Sequence, residues 1–413
     1  MVTLWAAIPF VLLLLAIAVM PLIAGRWWSR YYPLVAALLG LPVLLSYFLK
    51  GTLLGVVSPL DAGPVGQALR EYFSFIALIG SLYVIAGGIR IRIVGPPRPS
   101  FNVLILLAGA LISNVIGTTG ASMLLIRSFL NTNRHRYQGY LLVFFIFIVA
   151  NIGGALTPIG DPPLLLGYIN GVPFFWVLGK VWHVWLITLL LVLMVFYWRD
   201  RRNRQGARDS SRRTVVHLQG YRNLILLAIV LVAVFAPTPI RELVMLGAAA
   251  ASYFFTGKGI HRRNQFSFKP IVEVAVLFAG IFVTMAPVLE LLYARAPKLG
   301  LNSAGGFFWA TGALSGFLDN APTYRTFLEV ALGLTGGGIR NLLVLRPELV
   351  KAISLGAVFF GAMSYIGNGP NFMVKSIAEH RRLPVPHFFE YMWRYSLPVL
   401  LPIFAIVWLL LRI

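Results

Sequence analysis

The sequence predicts an all-α polytopic membrane protein with about ten transmembrane helices, two re-entrant helical hairpins, and two inverted-topology repeats that contain broken helices. Three observations support this fold class. Hydrophobic residues make up 59% of the 413 residues and charged residues only 12%, whereas a soluble domain carries about a quarter. Apolar runs long enough to cross a bilayer recur along the whole chain. Short motifs in the first half also reappear in the second half at a nearly constant spacing.

The apolar runs divide the chain into candidate transmembrane helices and two interrupted stretches. A helix needs about 20 apolar residues to cross the hydrocarbon layer of a bilayer. The interrupted stretches, 101–131 and 304–333, carry polar residues, glycine and proline in their middles, which predicts that each turns back as a re-entrant hairpin. The candidate transmembrane runs are 4–24, 32–49, 72–94, 139–169, 172–198, 221–237, 242–257, 271–294, 350–378 and 386–411.

The basic residues predict how the chain is oriented. The net charge is +22, but the charges lie in short loops between apolar runs, which is typical of a protein in a lipid bilayer and not of one that binds nucleic acid. The densest basic segment, Arg199–Arg213, is therefore placed in the cytoplasm. We expect a multi-pass protein of the bacterial cytoplasmic (inner) membrane with both termini outside. Counting spans from 199–213 puts five further basic segments on the same side, namely 26–30, 90–98, 134–136, 258–269 and 381–382.

The composition also argues against several other classes of site. The absence of cysteine excludes disulfides, thiolate metal sites and iron–sulfur centres. The six histidines show no metal-ligand spacing, and the sequence contains neither a nucleotide-binding loop nor a nucleophile with an accompanying base. We therefore predict that the protein is not an enzyme and carries no cofactor.

An internal repeat relates the two halves. Residues 159–163 (IGDPP) match residues 366–370 (IGNGP) at an offset of 207, and Ser113-Asn114 match Asp319-Asn320 at an offset of 206. By the count of spans, the first hairpin enters the membrane from the cytoplasm and the second enters from outside. The repeats are therefore predicted to be inverted, an arrangement that lets one site face alternate sides of a membrane.

These features divide the chain into four predicted regions. They are 1–71 as N-terminal scaffold spans; 72–198 as the first inverted repeat, with hairpin 101–131 and broken helix 139–169; 199–270 as a basic cytoplasmic loop and a linking helix pair; and 271–413 as the second inverted repeat, with hairpin 304–333 and broken helix 350–378.

Four polar or helix-breaking segments are the candidate site. Irregular backbone within a membrane leaves amides and carbonyls unsatisfied, at several kcal/mol each, unless it is buried in protein or lines a wet cavity. Glycine relaxes the backbone, while tandem proline removes hydrogen-bond donors and ends a helix. We therefore expect the segments 113–120, 157–163, 318–323 and 365–371 to converge near the bilayer midplane.

Asp161 and Asp319 are the acidic residues within these segments. A charged aspartate inside a membrane is costly and is by default a candidate for function. Each could bind Na⁺ or a proton, and no other metal site is predicted. Each is also followed closely by proline, so the N-cap of a helix is the alternative role of each, and one residue could serve in both roles.

Neutral residues of the same segments offer oxygen atoms and amides. Such groups suit a dehydrated Na⁺ or a carboxylate substrate. The candidate neutral binding residues are Ser113, Asn114, Thr118, Thr119, Thr157, Gly160, Asn320, Thr323, Gly367, Asn368 and Asn371.

Two basic residues are candidate charge partners. Arg325 follows the second hairpin tip, and Lys375 follows the second break. Either could neutralise an aspartate, bind an anion, form a structural ion pair, or extend toward the membrane boundary.

These motifs together resemble the ion transporter superfamily, which holds citrate and dicarboxylate carriers, arsenite-pump channels and some sodium:proton antiporters. The resemblance rests on Ser113-Asn114 and on residues 151–163 (NIGGALTPIGDPP), 319–323 (DNAPT) and 365–371 (YIGNGPN). Within the superfamily the chain is similar to CitMHS-like bacterial proteins, described either as sodium:proton antiporters or as citrate transporters. The resemblance implies a scaffold region, two transport regions with hairpins, an elevator-like motion and frequently a homodimer.

The hairpin tips depart from one pattern of that superfamily. Its sodium-coupled carboxylate carriers have a Ser-Asn-Thr triplet at both tips. Here the first tip reads Ser113-Asn114-Val115 and the second reads Asp319-Asn320-Ala321. Both departures weaken the assignment of a carboxylate substrate.

The predicted function is secondary active transport of a small ion or a carboxylate. An aspartate that binds a dehydrated cation takes up a proton when the cation leaves, which predicts Na⁺/H⁺ antiport with Na⁺ and H⁺ as coupling ions. A citrate or other di- or tricarboxylate carrier coupled to H⁺ or Na⁺ is the alternative, with Arg325 and Lys375 as compensating charges. Export of arsenite or another oxyanion is a third possibility.

Overall fold

The computed structural model describes residues 4–53, 63–95, 98–203 and 215–411, and its regular structure is almost entirely helical. The helices are α1 (Ile8–Ile23), α2 (Gly25–Leu53), α3 (Pro64–Gly87), α4 (Pro99–Thr132), α5 (Gly139–Ile148), α6 (Pro162–Ile169), α7 (Trp176–Arg202), α8 (Arg222–Ala233), α9 (Ile240–Phe255), α10 (Lys258–Arg263), α11 (Lys269–Arg295), α12 (Ala304–Ser315), α13 (Asn320–Thr335), α14 (Gly338–Leu345), α15 (Pro347–Phe360), α16 (Gly369–His380), α17 (Phe388–Tyr391) and α18 (Leu397–Leu411).

The all-α polytopic fold class is confirmed. Within the described residues, 7 helices are long and apolar enough to cross a membrane, and the pair α13 and α14, bent by 80°, makes an eighth candidate. The predicted runs 139–169 and 350–378 do not form single helices, because each is divided into two shorter ones. The runs 221–237 and 242–257 give α8 and α9, of 12 and 16 residues.

The first hairpin is a single long segment that reverses at Gly117. This residue has φ of +78°, in the region that favours glycine, and a Cβ there would lie 3.2 Å from the carbonyl oxygen of Ile159. Asn102 and Asn133, near the two ends of α4, exchange side-chain hydrogen bonds of 2.9 and 2.8 Å. The chain therefore returns to the side from which it entered, as predicted for 101–131.

The second hairpin is formed by α12 and α13, joined by residues 316–319. The rings of Phe307 and Phe327 lie 6.2 Å apart on either side of this turn, which shows that the two arms run side by side. The arms of both hairpins correspond to the predicted stretches within a few residues.

The two broken helices share one local arrangement. In the first, α5 is followed by a 3₁₀ turn (Ile152–Gly154) and irregular backbone before α6; in the second, α15 is followed by Gly361–Met363 and irregular backbone before α16. A Cβ on Gly154 would lie 2.7 Å from the carbonyl oxygen of Gly160, and a Cβ on Gly367 would lie 2.8 Å from that of Gly361. Both breaks begin earlier than predicted, because the glycines allow the backbone to fold against itself before the proline is reached.

The predicted match of Ser113-Asn114 with Asp319-Asn320 is wrong in structural terms. Ser113-Asn114 lie at the end of the first arm of their hairpin, before Gly117, whereas Asp319 and Asn320 begin the second arm of theirs. Ser113 donates to the carbonyl of Val149, and Ser315 makes the corresponding bond to Ala357. The sequence similarity therefore aligned residues that lie on opposite sides of the two turns.

A two-stranded antiparallel sheet, absent from the sequence-based expectation, joins two loops. Strand β1 (Arg90–Val94) pairs with β2 (Val215–Gln219), with Arg90 opposite Gln219. The predicted run 72–94 is therefore a helix only to Gly87. The sheet joins the described part of segment 90–98 to the strand that follows the basic loop, which agrees with the count of spans; residues 96–97 and 204–214 lie outside the described residues.

Other loops gather on the same face. Asn264, which follows α10, donates hydrogen bonds of 2.8 Å to the carbonyls of both Gly87 and Ile89. Arg381, which follows α16, donates to Asn131 at 2.6 Å. Within the described residues, basic segments from four separate loops are thus neighbours.

Packing within the bundle forms two connected groups of helices. Helices α1, α2, α3, α8, α9 and α11 contact one another, and the hairpins, broken helices, α7 and α18 form the other group. The groups meet where α3 packs on α4 and α6 and where α11 packs on α13. The hairpin tips and the breaks lie in the second group, beside α3.

Candidate functional site

Asp161 is the centre of the candidate site. It occupies the N-cap position of α6, with extended backbone (φ −146°, ψ 145°) and Pro162 as the first helical residue. Its side chain is only 1% exposed. The carboxylate accepts no hydrogen bond from the backbone of α6, so of the two predicted roles, capping by the side chain is not observed.

Three side chains from distant segments donate hydrogen bonds to this carboxylate. Thr118 Oγ1, at the tip of the first hairpin, donates to Oδ1 at 2.7 Å. Asn320 Nδ2, at the start of α13, donates to Oδ2 at 2.6 Å, and Asn368 Nδ2, at the second break, donates to Oδ1 at 3.1 Å. Each of the four predicted segments thus contributes one residue to a group hereafter called the Asp161 cluster, which consists of Thr118, Asp161, Asn320 and Asn368. These segments converge as the sequence predicts.

The cluster contains one polar oxygen without a partner. Asn320 is fully buried, and while its Nδ2 binds Asp161, its Oδ1 accepts no hydrogen bond within the described residues. A buried carbonyl oxygen without a donor is unfavourable and is usually satisfied by a water or an ion. Together with the oxygens of Asp161 and Thr118 it forms a set of hard oxygen atoms, which suits a hydrated or partly dehydrated alkali cation.

A chain of buried amides connects the two breaks behind the cluster. Asn151 Nδ2 donates to Asn371 Oδ1 at 2.7 Å, and Asn151 Oδ1 accepts from Asn368 at 3.2 Å. Asn371 Nδ2 in turn donates to the carbonyls of Gly361 and Ser364. Asn371 was predicted as a site residue, but Asn151 was not. The signal that could have identified Asn151 is an isolated amide in a strongly apolar run just before the break.

Asp319 has the alternative role predicted for it. Its Oδ1 accepts a hydrogen bond of 3.0 Å from the backbone N–H of Ala321, and it is the N-cap of α13. Its neighbour Asn320 donates to Asp161, so Asp319 lies one residue away from a member of the cluster. A direct role of Asp319 in binding Na⁺ remains a prediction.

Most other predicted site residues stabilise the irregular backbone. Asn114 Nδ2 donates to the carbonyl of Gly153 at 2.6 Å, and its Oδ1 accepts from the backbone of Leu156 at 3.0 Å, so this side chain fastens the first hairpin to the first break. The remaining contacts are Ser113 to the carbonyls of Gly109 and Val149, Thr157 to the carbonyl of Asn114, the carbonyl of Gly160 to the N–H of Thr118, Thr323 to the carbonyl of Asp319, and the N–H of Gly367 to Ser364.

The two candidate charge partners are engaged elsewhere. Arg325 is buried between Glu71, at 3.5 Å, and Glu329. Lys375 pairs with Glu379 at 3.2 Å and lies 5.4 Å from the centre of the Tyr365 ring. Of the predicted alternatives the structure therefore shows structural ion pairs, and neither residue neutralises Asp161.

A small cavity adjoins the cluster. It has a volume of about 30 Å³ and is lined by Thr118, Thr119, Asp161 and the facing side of α3, including Leu82. A cavity of that size holds about one or two waters and is far smaller than the pockets that hold drug-sized ligands. The predicted site residue Thr119 is one of the residues that line this cavity. In this conformation the space beside Asp161 fits a water or a small ion.

Within the described residues, no group of three or more histidine, cysteine or acidic side chains is placed to hold a metal ion. A cation at the Asp161 cluster would therefore be bound by one carboxylate with neutral oxygens.

Comparison with known proteins agrees with this architecture. Two curated relatives are each an uncharacterized transporter of Mycobacterium tuberculosis, one from strain CDC 1551 / Oshkosh and one from strain ATCC 25618 / H37Rv. Each is 24% identical over 261 residues, which cover 57% of this chain and 59% of the relative. The match thus spans about three fifths of the length of these relatives. The sequence profile of the family described as "Putative citrate transport" matches residues 1–412. This chain, a multi-pass membrane protein, therefore belongs to that family of transporters.

Proposed function

We propose that the protein is a secondary active transporter that exchanges Na⁺ for H⁺ at the Asp161 cluster. The observation that carries the proposal is one deeply buried carboxylate that, among the described residues, has no neutralising base and lies beside an amide oxygen with no hydrogen-bond partner. A negative charge in that position is favoured when a cation or a proton accompanies it. The two ions would therefore compete for the same oxygens.

Competition at one carboxylate couples the two ions without further machinery. When Na⁺ occupies the cluster, Asp161 is ionised, and the oxygens of Thr118 and Asn320 complete the coordination. When Na⁺ leaves toward one side, the buried carboxylate takes up a proton from that side, because an uncompensated charge is costly in a low-dielectric site. The neutral, protonated cluster then returns to the opposite side. Net exchange follows from these alternating occupancies.

The arrangement of the hairpins suggests how the cluster reaches both sides. Hairpin tips from both halves meet at Asp161, and each break places a helix beginning there. We propose that the hairpins and broken helices move together against α1, α2, α3 and α11 in an elevator-like motion. A homodimer that holds the other group, α1, α2, α3, α8, α9 and α11, stationary is part of this proposal, as is an orientation with the basic loops in the cytoplasm.

Proteoliposomes test the exchange directly. Vesicles that contain the protein and an imposed Na⁺ gradient are expected to change their internal pH, as reported by a trapped pH-sensitive dye. Asp161→Asn keeps the shape of the side chain but removes the charge, and it is expected to abolish this response. Glu390→Gln, which removes an acid from an exposed ion pair with Arg394, is the matched control and is expected to retain it. Full exchange by Asp161→Asn would refute the proposal.

The second candidate function is citrate or related carboxylate transport coupled to H⁺ or Na⁺, and it is favoured by the description of the matching family. A trianion would have to bind beside Asp161 while Arg325 and Lys375 remain paired with glutamates. Uptake of labelled citrate in the same vesicles, without a pH response to Na⁺, would favour this function. Arg325→Gln adds a second test, since selective loss of citrate uptake would assign its guanidinium to the anion.

A further inference from the structure

A separate cluster of arginines lies on the face where the basic loops gather. Arg90 and Arg92 come from β1, Arg127 from the second arm of α4, Arg263 from α10, and Arg381 from the turn after α16. They line two adjoining cavities of about 90 and 410 Å³, which share Arg90, Arg92 and Arg263. These five side chains are hereafter the arginine cleft. None of them belongs to the Asp161 cluster.

The charge of the arginine cleft is not neutralised within the described residues. No acidic residue of the described chain lines either cavity, and no ion pair involves any of the five arginines. Arg90, Arg127 and Arg381 line the same cavity of about 90 Å³, so their positive charges lie close together. Like charges gathered in this way destabilise one another unless an anion accompanies them.

The arginines are held in place by groups that leave donor capacity free. Arg381 Nη1 donates to Asn131 Oδ1 at 2.6 Å and to the carbonyl of Arg127 at 3.3 Å, while Arg127 Nη1 reaches the carbonyl of Met123 at 3.5 Å. A guanidinium has five N–H donors, so most donors of both side chains remain available. Several planar guanidinium groups around one small cavity match the oxygens of a phosphate group, which arginine binds in bidentate fashion.

The position of the cleft adds a structural consequence. Its arginines come from segments linked to both groups of helices. Along the chain β1 follows α3 and α10 follows α9, although β1 also packs on α4. Arg127 and Arg381 come from α4 and from the turn after α16, in the hairpin and broken-helix group. We propose that the arginine cleft binds a phosphate group, supplied by an anionic lipid headgroup or by soluble phosphate, and that this anion connects the two groups at their basic face. The proposal is independent of which substrate crosses the membrane.

Nanodiscs separate the two sources of phosphate. In the first arm, the full chain in phosphatidylcholine nanodiscs is titrated with inorganic phosphate against sodium chloride of equal ionic strength, and the midpoint of thermal unfolding is followed. In the second arm, the chain is compared in nanodiscs of phosphatidylcholine with and without phosphatidylglycerol. A rise in the midpoint in the first arm identifies soluble phosphate, and a rise in the second arm alone identifies the lipid headgroup.

The variant Arg92→Gln with Arg263→Gln tests the assignment to this cleft. Both side chains are exposed, so their replacement leaves the packing of α4 unchanged. Loss of two charge-assisted contacts is expected to raise the half-saturating anion concentration at least ~10-fold or to remove the lipid effect. Arg26→Gln with Arg30→Gln, two arginines of α2 that line neither cavity, is the matched control and is expected to respond as the unaltered chain does. The single variant Arg263→Gln is measured beside them in case the double variant fails to fold.

Three results would overturn the proposal. The first is the absence of any specific rise in both arms. The second is an equal rise in the unaltered chain and in the cleft variants, which would place the anion elsewhere. The third comes from repeating the first arm with citrate in place of phosphate. A rise with citrate, but with neither phosphate nor phosphatidylglycerol, would assign the cleft to the entry of a carboxylate substrate.

Discussion

Replacement of Asn320 by alanine gives a sharp test of the Asp161 cluster as a cation site. Asn320 does two things there, since its Nδ2 donates to the Asp161 carboxylate at 2.6 Å and its Oδ1 is a buried oxygen without a donor. The substitution removes both atoms and leaves Thr118 and Asn368 on the carboxylate. The variant is therefore expected to bind Na⁺ more weakly while it keeps the buried acid.

The expected magnitude follows from these contacts. A hydrogen bond to a charged group contributes about 1.5–3 kcal/mol. The loss of one cation ligand acts in the same direction, since every 1.4 kcal/mol is roughly a tenfold change in affinity. The half-saturating Na⁺ concentration for exchange is thus expected to rise about 10- to 100-fold. The maximal rate at saturating Na⁺ should change less, because the Asp161 carboxylate can still take up and release a proton.

The assay is Na⁺-dependent collapse of a pH gradient in proteoliposomes, measured over a range of Na⁺ concentrations. Thr326→Ala is the control on the same helix, because its hydroxyl donates to the carbonyl of Thr323 and to no other group among the described residues. A half-saturating concentration within twofold of the unaltered protein would refute the reasoning for Asn320. The same shift in Thr326→Ala would attribute the effect to α13 as a whole and not to the cluster.

Two further predictions concern the structure around the site. Gly154→Ala is expected to lower the thermal unfolding midpoint by an amount equivalent to about 1–3 kcal/mol, because the new Cβ would lie 2.6 Å from Thr118 Cγ2. Gly179→Ala is the control, since a Cβ there would meet open space, and it should have little effect or a small stabilising one. Calorimetry in detergent checks this pair, and equal stability of both variants would contradict the packing. The second prediction uses the absence of native cysteine. The double variant Ile91→Cys with Leu218→Cys should form a disulfide on mild oxidation, because these two residues are directly opposed in the sheet. The double variant Ile91→Cys with Val216→Cys should not form one, because Val216 is opposite Ile93. Gel mobility with and without reductant reads the result, and cross-linking of the second pair in preference to the first would disprove the strand register.

The two halves differ at one position that matters for charge. Asp161 and Asn368 are 207 residues apart, and each is the N-cap residue with extended backbone that precedes the helix after its break. In the first half this position carries the carboxylate, and in the second half it carries a donor to that carboxylate. Two carboxylates at hydrogen-bond distance would repel each other, so the asymmetry gives the cluster a single acid with matched donors.

Several parts of the fold could be predicted because their causes are local. Length and hydropathy of a run are sufficient to indicate a helix in a membrane, and the positions of Gly117 and Pro162 were sufficient to indicate a turn and a helix start. The prediction of one membrane-spanning helix over 72–94 is wrong at its end, because the helix stops at Gly87 and pairing with the distant β2 makes Arg90–Val94 a strand. Strand formation there depends on a partner that hydropathy does not reveal.

The sequence by itself determined that the chain is an all-α membrane protein with two hairpins, two broken helices and a candidate acid at Asp161, because apolar length, glycine freedom and proline geometry act within a few residues of the chain. Only the tertiary structure decided which side chains meet that acid, since Asn320 and Asn368 are 159 and 207 residues away from it. It also decided that Arg325 binds Glu71 and Glu329, and that five arginines from separate loops share one cleft. Hydrogen bonds and charge interactions depend on distance in space, and the folded packing of the two halves sets those distances.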